Sequence, residues 1–239
     1  MDDLVSLGYP NVNKLYLFDF SPGHGGDFFI SLASKCASDH VNSWRTWEEM
    51  EERLDEFRER KMMPGNNIGG KLIDYNTIEE YKDQIITDLK RIGGSDATKM
   101  SFCTHPIGDN KDVTIRSVLE HCFPGIAIQQ VALDIESTAS EYFTMYSYYN
   151  DDSDFSRQAL KRQRDEDSRW IYWNDPENTI VLDQMTLMFE DRAKLKQQAQ
   201  SIGNINDEFY ERVIEVYSEV KVNPFLKWWN TRNKRGIGI

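Results

Sequence analysis

Long apolar runs are missing from this sequence. No stretch reaches the ~18 residues that a membrane-crossing helix needs, so no membrane partner is expected. Cysteine is scarce, with Cys36, Cys103 and Cys122 as the whole supply. The odd count leaves one thiol over, and the spacings fit no zinc motif. Two of the three sit in apolar runs, so reduced thiols in an intracellular protein are the simplest expectation. Positive charge is also short. The 28 Lys and Arg face 40 Asp and Glu, for a formal net charge of -12. A surface of that sign repels nucleic acid and anionic membranes, so neither is expected as a partner. An anionic ligand would have to be held by a local positive site. Met1-Asp2-Asp3 is too acidic for a secretory leader, and a cytoplasmic location is expected. Internal repeats and low-complexity linkers are absent as well.

Core material is ample. Hydrophobic residues make up 39% of the 239, with 12 Phe and 11 Tyr, enough for one globular domain over residues 1–239. Residues 14–20 are almost continuously apolar, as in a strand covered on both faces. A tight glycine-bearing loop follows, and a helix opens near Phe28. Residues 44–62 place Trp47, Met50, Leu54 and Phe57 on one helical face, leaving the charges of 48–60 to water. Thr77-Ile78-Glu79-Glu80 is a capping box for a helix that stops at Gly93-Gly94. Short strands are expected at 99–103, 126–135 and 179–187. Helices are expected at 113–122, 136–149, 190–202 and 208–220. Residues 150–169 are strongly polar and read as an exposed helix or a lid, and 227–239 as a basic tail. Strands alternating with helices point to an α/β fold of three α/β/α layers around a mostly parallel sheet.

The loop after the first strand carries the chemistry. Gly23, Gly25 and Gly26 permit close backbone approach and inward-pointing N–H groups, a nest for an anion at the start of a helix. Strand, loop and helix over residues 14–35 read as a phosphate-binding unit of the P-loop kind. No Gly-Lys-Ser/Thr follows, which disfavours ordinary nucleotide hydrolysis with a P-loop lysine. Asp27 would compete with an incoming phosphate, and a protonated His24 would partly offset it. A Gly-rich turn without a ligand is the plainer alternative.

Residues 14–29, with Ser21-Pro22-Gly23-His24-Gly25-Gly26-Asp27-Phe28-Phe29 after the strand, resemble the 5'-phosphosulfate loop of the sulfotransferases. That family shows Pro-Lys/Arg-Ser-Gly-Thr-Thr at this place. Pro22 and Gly25 match, while Gly23 stands at the basic position, His24 at the Ser and Asp27 at the second Thr. Phe102-Cys103-Thr104-His105-Pro106 resembles the family's Lys-Thr-His-Leu-Pro, and His105 falls on its catalytic base. Residues 131–143 resemble the strand and helix of the 3'-phosphate site. Ser140 falls on the phosphate-binding Ser there, and Ala132 or Leu133 stands where the family has Arg. Residues 180–203 resemble the later Tyr-Glu-Asp strand end and its helix. Arg235-Gly236 resembles the tail segment that touches the 3'-phosphate.

The resemblance implies a P-loop NTPase-like, sulfotransferase-like fold. It implies 3'-phosphoadenosine-5'-phosphosulfate as co-substrate, a hydroxyl acceptor on a small molecule or glycan, and no metal. The donor would lie on Ser21, Pro22, Gly23, His24, Gly25, Gly26, Asp27, Ser140, Arg235 and Gly236, with His105 as base and His24 steadying the leaving group. Two basic residues of the family are missing, each worth about 1.5–3 kcal/mol in a charge-assisted hydrogen bond. A fold kept for binding without catalysis is therefore a second reading, and a nucleotide or small-molecule kinase a third. A homodimer is left open.

Overall fold

The computed structural model describes residues 4–20, 26–61, 68–69, 77–104, 115–134, 179–183 and 191–234. The expected helix at 136–149 and the polar segment 150–169 lie outside these residues.

Four strands form one sheet among the described residues: β1 (Lys14–Asp19), β2 (Lys99–Thr104), β3 (Ala127–Asp134) and β4 (Thr179–Asp183). Their order is β2-β1-β3-β4 and every pairing is parallel. The expected parallel α/β sheet is therefore present. Each parallel crossover needs a long connection, which helices supply between β1 and β2 and between β2 and β3. The chain goes from β1 to one side for β2 and then returns past β1 to its other side for β3. In open α/β sheets a crevice opens at such a reversal, outside the carboxyl ends of the strands.

Helices cover both faces. On one face lie α1 (Gly26–Ile30), continued by a π-helical turn over Ser31–Lys35, and α2 (Trp47–Arg60). The same face carries α5 (Arg192–Gln200), α6 (Asp207–Tyr217) with its π-helical continuation Ser218–Val222, and α7 (Asn223–Lys234). They pack around Tyr16, Phe18, Phe20, Cys103, Val131 and Leu182 of the sheet. On the other face, α3 (Ile78–Ile92) and α4 (Ile115–Cys122) pack with Leu4, Tyr9 and Val12 against Leu15, Leu17, Met100 and Phe102. The alternation of β1 between the two clusters follows from the two-residue period of a strand. Of the basic tail expected from the sequence, residues up to Lys234 are helical, and Phe225 is fully buried.

Local signals set the helix ends. The Thr46 hydroxyl accepts from Glu49 N–H (3.1 Å) and that of Thr77 from Glu80 N–H (3.2 Å), each satisfying a donor that a helix start leaves orphaned. Lys61 closes α2 in a left-handed conformation, its N–H donating to Phe57 O at 2.8 Å. α2 buries Met50, Leu54 and Phe57 as the periodicity predicts. Trp47 departs from that reading. It sits in the first turn with 43% of its surface exposed, its ring edge-on to Phe209.

α2 and α6 run side by side in the same direction. Trp47 meets Phe209, Arg212 pairs with Glu51 (2.6 Å), Phe57 lies along Tyr217 and Arg58 pairs with Glu219 (3.3 Å). α1 runs the opposite way. Phe28, near its start, stacks on Tyr217, and past its end Cys36 O accepts from Asn206 N–H (2.7 Å). Since α1 departs from the carboxyl edge of the sheet, α2 finishes at that edge, and there α6 passes without a break into its π-helical continuation and α7.

One aromatic in this layer carries a polar atom at a cost. Tyr210 is 1% exposed, and its hydroxyl has no hydrogen-bond partner among the described residues. Burial pushes its pKa well above the ordinary phenol value, since the neutral form alone tolerates the site. Tyr210→Phe removes an unsatisfied buried group without leaving a cavity. It is expected to stabilise the fold by about 1 kcal/mol, measured as a raised urea midpoint at unchanged slope.

Candidate active site

The carboxyl edge brings together the strand ends that the sequence singles out. Asp19 of β1 is in register with Thr104 of β2 and with Ala132 of β3, and Asp134 of β3 with Asp183 of β4. The loop after β1 and residue 105 after β2 therefore leave from adjacent positions. Of the residues predicted to form the site, Ser21, Pro22, Gly23, His24, Gly25, His105, Ser140, Arg235 and Gly236 lie outside the described residues. Gly26 and Asp27 are described and open α1.

Gly26 is required by its surroundings. A Cβ there would lie 2.0–2.2 Å from ring atoms of Phe20, which is itself 5% exposed in the core. The aromatic just past the strand thus lies under the first residue of the helix. Asp27 is half-buried in the first turn, where a carboxylate favours the positive end of the helix dipole. Ser31 donates its hydroxyl to Asp27 O at 2.8 Å. One turn on, the hydroxyls of Ser34 and Ser101 meet at 2.7 Å inside the core and tie α1's continuation to β2.

Lys35 is a core residue, 3% exposed, with its Nζ 5.9 Å from the centre of the Trp44 ring. Burial lowers its pKa to about 8, against the attraction of Asp27. The sequence analysis did not single it out. Its signal was one charge at the end of the apolar run 28–36. Lys221, also missed, is 9% exposed in the π-helical turn after α6, and burial lowers its pKa to about 8. Cys36, Cys103 and Cys122 are buried and in no disulfide. Burial pushes the Cys122 pKa up to about 11 and that of Cys36 higher still, so neither is an activated nucleophile. Among the described residues, no group of three or more His, Cys, Asp or Glu gathers as a metal site.

A second polar cluster lies at the opposite edge of the sheet, and the sequence analysis missed it. Asp39 accepts from Lys99 Nζ (2.8 Å), Asn204 N–H (2.9 Å) and His40 Nδ1 (3.1 Å). Lys99 also donates to Ile202 O at 2.8 Å. His40 is 2% exposed, and its Nε2 has no partner among the described residues. Burial of Asp39 works to raise its pKa, but the three donors overcome that and hold the carboxyl far below its usual range. This cluster locks 36–40, the start of β2 and the α5–α6 connection together, a structural office remote from the loop.

The described part of the carboxyl edge thus offers a glycine pressed against the strand end and one carboxylate. Compared with protein-family models, with curated proteins and with solved structures, the chain matches none.

Proposed function

We propose that the protein is a sulfotransferase-like enzyme, moving a sulfuryl group from 3'-phosphoadenosine-5'-phosphosulfate to a hydroxyl on a small molecule or glycan. The observation that carries this reading is the register of Asp19 with Thr104, which starts the glycine-bearing loop and His105 from neighbouring strand ends at the topological reversal. The tight seat of Gly26 against Phe20 suits a loop whose backbone must come close to a ligand. Asp27 counts against an anion there.

When bound, the donor supplies a sulfuryl group on a phosphate that leaves as adenosine 3',5'-bisphosphate. The bond from sulfur to the phosphate oxygen breaks as a bond from sulfur to the acceptor oxygen forms. In this reading His105 takes the acceptor's hydroxyl proton and His24 steadies the leaving phosphate. The loop N–H groups of 23–26 hold the 5'-phosphosulfate, while Ser140, Arg235 and Gly236 hold the 3'-phosphate.

A second reading, phosphoryl transfer with magnesium, is favoured by one observation. Asp134 and Asp183 are register partners at the same carboxyl edge where Asp19 ends β1, and magnesium is held by carboxylates. Calorimetric titration with adenosine 3',5'-bisphosphate and, separately, with ATP and magnesium tests both. Micromolar binding of the bisphosphate, lost in Gly25→Asp, supports sulfuryl transfer. Binding of magnesium-ATP alone transfers support to the kinase reading. No binding of either at millimolar concentration leaves a fold that serves binding or interaction without this catalysis.

A further inference from the structure

The imidazole of His40 is sealed into the amino edge of the sheet. Its side chain is fully buried, and its Nε2 has no hydrogen-bond partner among the described residues. Its own turn brings Asp39, with Oδ1 at 3.1 Å from Nδ1. β2 brings Lys99, whose Nζ lies 2.8 Å from Asp39 Oδ2. β1 brings the Tyr16 ring at 5.7 Å between centres, with the Lys14 ammonium 4.9 Å from that ring. The connection between α5 and α6, residues 201–206, brings Gly203. A Cβ added to Gly203 would lie 2.4 Å from Ala33 O, 2.6 Å from Ala37 Cβ and 3.2 Å from His40 Cε1, so this connection closes directly over the ring. A neutral imidazole suits the enclosure, with Nδ1–H donating to the carboxylate. A second proton would place an N–H on Nε2 without an acceptor, and a cation close to the Lys99 ammonium. Asp39 offers limited relief, since Lys99 and the Asn204 N–H already draw on it.

We propose that residues 201–206 are an acid-released latch: protonation of His40 lifts this connection off the ring while the sheet and its carboxyl edge stay folded. The segment is built to move alone. It joins two helices, so lifting it unpairs no strand of the sheet. Its middle, Asn204, is exposed. Polar bonds hold it down: Ser38 N–H donates to Asn204 O (2.9 Å), Asn206 N–H to Cys36 O (2.7 Å), Asn204 N–H to Asp39 Oδ1 (2.9 Å) and Lys99 Nζ to Ile202 O (2.8 Å). Water can replace each of these at a surface, and the apolar cost is the exposure of Ile202, which is fully buried. Lifting gives Nε2 the water that its proton needs. Burial lowers the His40 pKa, Asp39 pulls it up and Lys99 lowers it again, with burial prevailing. The closed state therefore refuses a proton that the open state accepts, and acid favours opening. Release bares Ile202 and Ala37, an apolar surface that neutral pH conceals. The device is independent of the chemistry at the carboxyl edge.

Amide hydrogen exchange of the full chain at pH 7.5 and 5.5 tests the latch, with rates corrected for their intrinsic pH dependence. The probes are the amides of Ser38, Asn204 and Asn206, and the references are those of Leu17 and Phe18 inside β1. With an ordinary imidazole in the open state and a lowered pKa in the closed one, probe protection should fall up to about tenfold between the two pH values. A local opening exposes little surface, so probe exchange should barely respond to low urea. The references exchange through larger unfolding and should respond steeply. In His40→Asn, probe protection should agree within about twofold at the two pH values. If the probes share the protection and the urea response of the references, release comes only with global unfolding and the latch is wrong. It is equally wrong if probe protection does not fall with acid, or falls as much in His40→Asn. Should that variant fail to fold, the wild-type comparison across pH and urea decides by itself.

Discussion

Asp39→Ala should lower the stability of the fold by about 2–4 kcal/mol, seen as a fall in the urea midpoint with little change in slope. The carboxylate is 22% exposed and is the common acceptor for three donors on three segments. Removing it strips a partner from His40, whose side chain is fully buried, and from the Asn204 N–H. Lys99 retains Ile202 O, so its loss is partial. Unpaired buried donors cost more than the net worth of the bonds themselves, which places the effect well above that of a surface ion pair. Asp39→Asn keeps acceptor capacity and loses charge, so its cost should fall between wild type and Asp39→Ala. Binding at the carboxyl edge should change little in either variant, because the cluster stands at the other end of the sheet.

The same cluster sets a pH dependence whose sign follows from its two titrating groups. Burial lowers the His40 pKa from 6.5, despite the opposing pull of Asp39. The folded state therefore takes up this proton less readily than the unfolded one. The stability contributed by neutral His40 is complete above about pH 6.5 and is lost as pH falls toward the lower folded value. Asp39 has a depressed carboxyl pKa, so its contribution holds above about pH 4 and is lost below that. Melting temperature should therefore decline in two stages on acidification. His40→Asn offers an amide donor near the position of Nδ1 and does not titrate, and it should flatten the stage just below pH 6.5 while leaving the acid stage. A variant that reproduces the wild-type profile through pH 5 would show that another group governs it.

Much of this architecture was legible because local signals agreed with the global fold. The apolar run at 14–19 could only be a strand buried on both faces, and the sheet places it between two neighbours. Thr77 announced its helix through cap chemistry that acts within three residues, and Thr46 caps α2 in the same way without having been singled out. Trp47 was misjudged because periodicity reports a face, not how far the neighbouring helix reaches along it, and α6 covers that first turn only by the edge of Phe209. Asp39, Lys99 and Asn204 were invisible for a different reason. They are 60 to 165 positions apart, and only the parallel return of β2 and the α5–α6 connection bring them together. The candidate site divides in the same manner. Its glycines spoke through their own backbone freedom, whereas the burial of Lys221 shows only once its π-helical turn is packed.

Tyr217→Ala is expected to cost about 3–5 kcal/mol, as for an aromatic removed from a close-packed core. Tyr217 is 2% exposed and its ring lies between those of Phe28 and Phe57, at 3.5 and 6.0 Å. Its removal opens a cavity where three helices meet. The effect should extend beyond stability. Phe28 anchors the first turn of α1 on Tyr217, and Gly26 at that turn already touches Phe20 without room to spare. A helix start released on one side and pressed on the other should shift, so the variant is expected to lose ligand affinity as well as denaturant resistance. Phe57→Ala removes the other neighbour of Tyr217 and leaves the Phe28 stack in place. It should therefore lose stability with a smaller loss of binding. If the two variants lose affinity in proportion to their stability alone, the stack supports the fold without positioning the loop. If Tyr217→Ala loses affinity beyond that proportion, the ring is the mechanical link that holds the start of α1 against α2 and α6.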